Sequence, residues 1–172
     1  MTLRQVYQFN LLYLILLAFV AVVTRATARR IAGALAGAGV AGIVAIGIVA
    51  LGEAMKWWHM TITWKPYFLL NLWIDFTLSG FTFLITWRIA RRHGWRGLAV
   101  VAVVAALLGP VRDYRYMAMY PEWGYYAPGF APVVAVSVTY VLLGTVGHLV
   151  MRLIAGPAGE DRLARAPGVG QT

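Results

Sequence analysis

Apolar residues in this chain gather into five long runs separated by short polar clusters. A helix needs about 20 apolar residues to cross the ~30 Å hydrocarbon core of a bilayer, so each run is a candidate crossing. The first spans 6–23, is interrupted only by Gln8 and Asn10, and is closed by Arg25, Arg29 and Arg30. The second, 31–57, is built from Gly, Ala, Val and Ile, and Gly33 and Gly37 form a GxxxG. Small residues four apart let helix backbones approach closely, so this helix is expected to pack tightly on another. The third spans 67–87, with Pro66 placed for its first turn. Its polar residues Asn71, Asp75, Ser79, Thr82 and Thr86 follow helical spacing and predict a stripe turned toward protein or a wet cavity. The fourth covers 94–112, but its apolar part is only the fifteen residues 97–111. Fifteen residues rise about 22 Å, so this helix must borrow flanking residues or thin the bilayer. The fifth covers 131–153, where Ser137, Tyr140, Gly144, His148 and Arg152 share a face.

The pattern predicts an all-α, polytopic transmembrane helical bundle of five spans, forming one domain to residue 155, with a flexible tail at 156–172. Two connections stand out. Residues 53–75, EAMKWWHMTITWKPYFLLNLWID, lead from the second helix across the lipid–water interface into the third. Residues 112–132 hold five tyrosines, Trp123 and three prolines, as an interfacial segment would.

Composition places the chain in lipid. Hydrophobic residues make up 61% and charged residues 12%, and the mean hydropathy is +0.72. A soluble domain is about 25% charged, so too few polar side chains are present to cover a watery surface. The first run lacks a small-residue cleavage site and reads as a retained helix rather than a removable signal. With no cysteine, disulfides, thiolate metal sites and cysteine nucleophiles are excluded.

The net charge of +9 reads as topology rather than nucleic-acid binding. Ten Lys and Arg fall on the side holding 25–30, 88–96 and the C-terminal segment, against five on the other. The positive-inside rule puts the ten in the cytoplasm, the N-terminus outside, and the chain in the inner (plasma) membrane. The outer side is nearly balanced in charge and is where a polar site is expected.

The candidate intramembrane polar site comprises Asp75, Glu53, Asn71, Ser79, Arg112 and Arg115, with Asp75 its deepest group. An ionised carboxylate in lipid must pair or take up a proton. A structural ion pair, such as Asp75 with Arg112 or Glu53 with Lys56, competes with a functional pocket. The candidate outer-loop site comprises Glu122, Trp123 and His59. Either Glu122 and Trp123 cap a substrate groove, or the segment 121–129 is a proline-pinned re-entry that positions the fifth helix. His59 with Met60, Met117 and Met119 has no metal-ligand spacing, and no metal is expected. No phosphate-binding, zinc-protease or serine-hydrolase motif occurs.

The leading expectation is an accessory or scaffold subunit of a larger membrane complex, or a homo-oligomer, with lipid and other membrane subunits as partners. The first alternative is a transporter or proton or cation pathway along the stripe of the third helix. The second is a membrane-embedded enzyme acting on a lipid or isoprenoid at the outer interface. No cofactor is expected, although a bundle of this kind has room to hold a lipid or pigment.

Overall fold

The computed structural model describes residues 3–61 and 68–157; at residues 3, 6, 68–72, 74 and 75 the description is of the backbone alone. Four α-helices, a short 3-10 turn and two three-residue strands follow in the order α1 (Leu3–Val23), α2 (Ala28–Ala54), β1 (Trp58–Met60), α3 (Phe68–Met119), the 3-10 turn (Pro121–Trp123), β2 (Gly124–Tyr126) and α4 (Phe130–Ala155). Ala28–Ala54, Phe76–Met119 and Phe130–Ala155 are long and apolar enough to cross a membrane, and Tyr7–Val23 is a shorter apolar helix.

The expected third and fourth helices are one 52-residue element broken at a single residue. Gly94 has φ +62° and ψ −150°, a conformation essentially reserved for glycine, and it divides α3 into a first arm, 68–93, and a second, 95–119. The second arm runs on to Met119, past the expected end at 112. This supplies the length that the short apolar run lacked. Asp113, Arg115 and the tyrosines at 114 and 116 are therefore helical rather than part of a connection. At the other end of the bundle, α2 stops at Ala54 instead of 57, which frees Trp57 and Trp58 from the helix.

Both α1 and α2 end the same way. The amide of Ala26 donates to the Ala21 carbonyl and that of Arg25 to the Val22 carbonyl; the amides of Trp57 and Lys56 repeat the pattern on Gly52 and Glu53. These are Schellman caps, with Arg25 (φ +49°) and Lys56 (φ +58°) in the left-handed position usually held by glycine. A cation there meets the negative end of the helix dipole. Thr27 then opens α2 by accepting the amide of Arg30.

Contacts between elements define two ends. At one, Arg88 Nη1 donates to the Val23 carbonyl at 2.9 Å and Arg29 Nε to the Ile154 carbonyl at 2.7 Å, each satisfying the last turn of a neighbouring helix. At the other, the start of α1 meets the 3-10 turn, and β1 meets β2. We call these the arginine end and the cap end.

The middle of the bundle closes on glycine. A Cβ at Gly37 would strike the carbonyl oxygen of Gly147, and a Cβ at Gly147 would strike the ring of Phe83. α2, α4 and the first arm of α3 therefore meet at Gly147, with Ala34, Ala38, Leu84, Trp87 and Met151 buried around it. The Gly33/Gly37 pair does dock closely, but on α4 of its own chain. Where Pro110 lies inside the second arm, it has no N–H for the carbonyl of Ala106. Ser137 on α4 donates to that carbonyl instead, at 2.8 Å.

Candidate functional site

The cap end carries the densest polar chemistry among the described residues, and a β-ribbon organises it. β1 and β2 pair antiparallel, with Trp58 opposite Tyr126, His59 opposite Tyr125 and Met60 opposite Gly124. Side chains alternate across a strand. Trp58 is accordingly buried and His59 exposed, while Tyr126 is half-buried beside an exposed Tyr125. Backbone bonds from Thr61 to Trp123 (3.0 Å) and from Ala127 to Trp57 (2.8 Å) extend the pairing at both ends.

The inward face of the ribbon is fastened to the helices. The Trp58 ring lies against Gly52, where a Cβ would overlap it, and Nε1 donates to the Val49 carbonyl at 3.1 Å. Glu53, in the last turn of α2, accepts the Met60 amide at 3.0 Å and lies 3.6 Å from His59 Nδ1. A carboxylate at a helix C-terminus faces the wrong end of the dipole, and this amide hydrogen bond offsets that cost.

On the second arm, Asp113 is the node. Its Oδ1 accepts the Tyr140 hydroxyl at 2.7 Å and both Nε and Nη2 of Arg112, at 3.0 and 2.8 Å. Its Oδ2 accepts the Tyr126 hydroxyl at 3.3 Å. Consecutive residues on a helix do not share a face. Arg112 reaches its neighbour by folding over the Tyr140 ring, with its guanidinium carbon 5.3 Å from the ring centroid. A residue with a Cβ at position 109 would collide with the Tyr140 ring, so Gly109 makes room for it. Tyr114 stacks on Tyr126 at 4.9 Å and donates to the Ala127 carbonyl at 2.9 Å. Burial first, and then the Asp113 carboxylate, push the Tyr126 phenol well above its ordinary range.

Beside this node, Trp123 stacks on Tyr120 with centroids 4.3 Å apart and meets Phe9 of α1 edge-on at 5.8 Å. It is buried in an aromatic pile that joins α1 to the cap. Glu122 is exposed, and its carbonyl accepts the Thr61 hydroxyl at 2.6 Å.

The predicted residues are thus distributed as follows. Glu53 and His59 come together at β1, whereas Arg112 pairs with Asp113 at the second arm and Arg115 is exposed. The side chains of Asp75 and Asn71 lie outside the described residues, as do Lys65 and Pro66. Ser79 is half-buried on the first arm. The polar stripe does not keep one face: Thr86 is buried and touches His148 Nδ1 at 3.3 Å, while Thr82 is exposed. The hydroxyls of Thr77, Thr82 and Thr86 each donate to a carbonyl of their own helix. Asp113, Tyr126, Tyr140 and Trp58 were not predicted as site residues. Asp113 meets Tyr126 and Tyr140 across 13 and 27 residues, spacings that no local period announces.

Long apolar helices around a glycine-packed centre define the class: an integral, predominantly helical membrane protein. Comparison with protein-family models, with curated proteins and with solved structures finds no match to this chain.

Proposed function

We propose that this chain is an accessory or scaffold subunit of a plasma-membrane assembly, or a homo-oligomer. It crosses the bilayer five times, with its cap end outside. The observation that carries this reading is how the acids at the cap end are used. Both Asp113 oxygens are taken by Arg112, Tyr126 and Tyr140, and Glu53 holds the Met60 amide. An acid–base enzyme needs a carboxylate within reach of its substrate's proton, and a proton pathway needs exchangeable groups along its length. Among the described residues, Asp113 and Glu53 fasten a ribbon to a bundle instead. What a partner would meet is the outer surface of that ribbon, with His59, Tyr125, Glu122 and the nearby Arg115.

The internal use of Gly33 and Gly37 narrows where association occurs. The contact surface is sought among the exposed apolar residues, such as Ile43 and Leu51 of α2 or Val138 and Leu149 of α4. Gentle solubilisation from native membrane, followed by sizing and identification of co-eluting proteins, tests the proposal. A stable complex larger than one chain is expected. A strictly monomeric species with no companion would overturn it.

A further inference from the structure

The cap leaves one surface of α1 unused. On it Arg4, Tyr7, Gln8 and Leu11 line an open hollow of about 460 Å3. Their spacing, i, i+3, i+4 and i+7, sets all four on one face of the helix. The bundle lies on another face, where Asn10 and Leu17 are buried and Leu17 meets Gly80 of the first arm. Side chains on a helix lean toward its N-terminus, so Tyr7, Gln8 and Leu11 tilt back toward Arg4. Charge therefore sits at the end of the hollow nearest the start of α1, with the apolar wall below it.

Arg4, Tyr7 and Gln8 are exposed and make no hydrogen bond or ion pair among the described residues. A guanidinium, a phenol and a carboxamide can all donate. No carboxylate among the described residues lines the hollow, so a guest with oxygen acceptors and negative charge fits it. The same face continues inward as Leu11, Ile15, Ala18 and Val22, all exposed. The guest that matches the whole face therefore also carries an apolar tail. Depth agrees: α1 has 21 residues, about 31 Å at ~1.5 Å each, so its first turn reaches the headgroup layer when the rest crosses the ~30 Å core. A second copy of this chain, inserted in the same direction along this face, would set its Arg4 against this one, which like charges oppose.

We propose that this hollow holds the headgroup of an anionic phospholipid. Arg4 meets the phosphate, Tyr7 and Gln8 donate to its oxygens, and an acyl chain lies along Leu11, Ile15, Ala18 and Val22. Such a site requires α1 to lie in the bilayer, as the five-span reading above has it, and is independent of protein companions.

The test uses the full chain, delipidated in a neutral detergent, with native mass spectrometry and thermal unfolding as readouts. Short-chain phosphatidylglycerol should remain bound in the mass spectrum and raise the unfolding midpoint, and do both more strongly than phosphatidylcholine. Arg4→Gln should weaken phosphatidylglycerol binding about tenfold, as loss of a charge-assisted hydrogen bond would. The lipid-free chain should unfold at the same midpoint with or without that substitution. Arg4→Lys should keep more binding than Arg4→Gln, and Arg92→Gln, at the arginine end, should keep all of it. Unchanged binding in Arg4→Gln would overturn the proposal, as would equal responses to the two lipids. So would the same stabilisation by inorganic phosphate at matched concentration, which would mark a site for a free anion. A dimer that takes up phosphatidylglycerol only on dissociating would also overturn it, because the face would then belong to a second copy. Failure to find a larger complex leaves this binding measurement intact, so the two readings fail separately.

Discussion

Pro110 and Ser137 show how one residue's defect becomes another's role. The proline leaves the Ala106 carbonyl without its helical donor, and the Ser137 hydroxyl supplies one from α4. An unsatisfied carbonyl in an apolar setting costs about 1–3 kcal/mol. Ser137→Ala should therefore destabilise the protein by that order, measured by thermal unfolding in mild detergent. In a Pro110→Ala background, where the amide returns, the same substitution should cost almost nothing. Equal losses in the two backgrounds would dissociate the pair. Tyr126 gives a second prediction. Its phenol is raised in the folded chain, so the unfolded chain ionises first as pH rises. The stability it contributes is complete below the ordinary phenol range, near pH ~10, and is lost above it. The cap should loosen as pH climbs past that range, and Tyr126→Phe should flatten this dependence. Tyrosinate absorbance followed alongside unfolding would check both.

At the scale of elements, the break at Gly94 is specific to its backbone. Gly94→Ala forces a side chain into a conformation that costs about 1–3 kcal/mol. Gly47→Ala, at an open helical position, should instead be neutral or stabilise by up to ~1 kcal/mol. Unfolding midpoints of the two variants should move in opposite directions or differ by that margin. The helices themselves were legible because apolar runs of this length admit few alternatives. Their ends were less so. The second arm carries Asp113, Tyr114 and Arg115 beyond its apolar stretch, and charge at those positions looked like a connection. Trp58–Met60 and Gly124–Tyr126 were not legible as strands. Three residues carry no period, and each becomes a strand only because the other is there.

For the whole molecule, the charge distribution supports the proposed sidedness. The arginines at 25–30, 88–96 and 152 share one end, and the β-ribbon forms the other. The chain has no cysteine of its own, so single introduced thiols report cleanly. A His59→Cys variant should be labelled by a membrane-impermeant reagent on intact cells, and an Arg92→Cys variant only after permeabilisation. The reverse result would invert the proposed orientation. The candidate site divides along the same line of legibility. Glu53 and His59 were each named from the sequence, but for two separate sites; their meeting at β1 was not read there. Asp113 was passed over because its hydroxyl partners, Tyr126 and Tyr140, stand at distances that only the folded bundle closes. Gly33 and Gly37 were read as a docking surface, and the partner proved to be α4 of the same chain, Met151 against Gly33 and Gly147 against Gly37.

The pairing of Trp58–Met60 with Gly124–Tyr126 encloses all of α3 within a buckle whose two halves are made at different times. The first half leaves the ribosome well before the second exists, and joining them closes a loop of the whole intervening chain. The buckle is therefore the late event of assembly, and a nascent chain halted before Gly124 would hold its first three helices with the cap end unlatched.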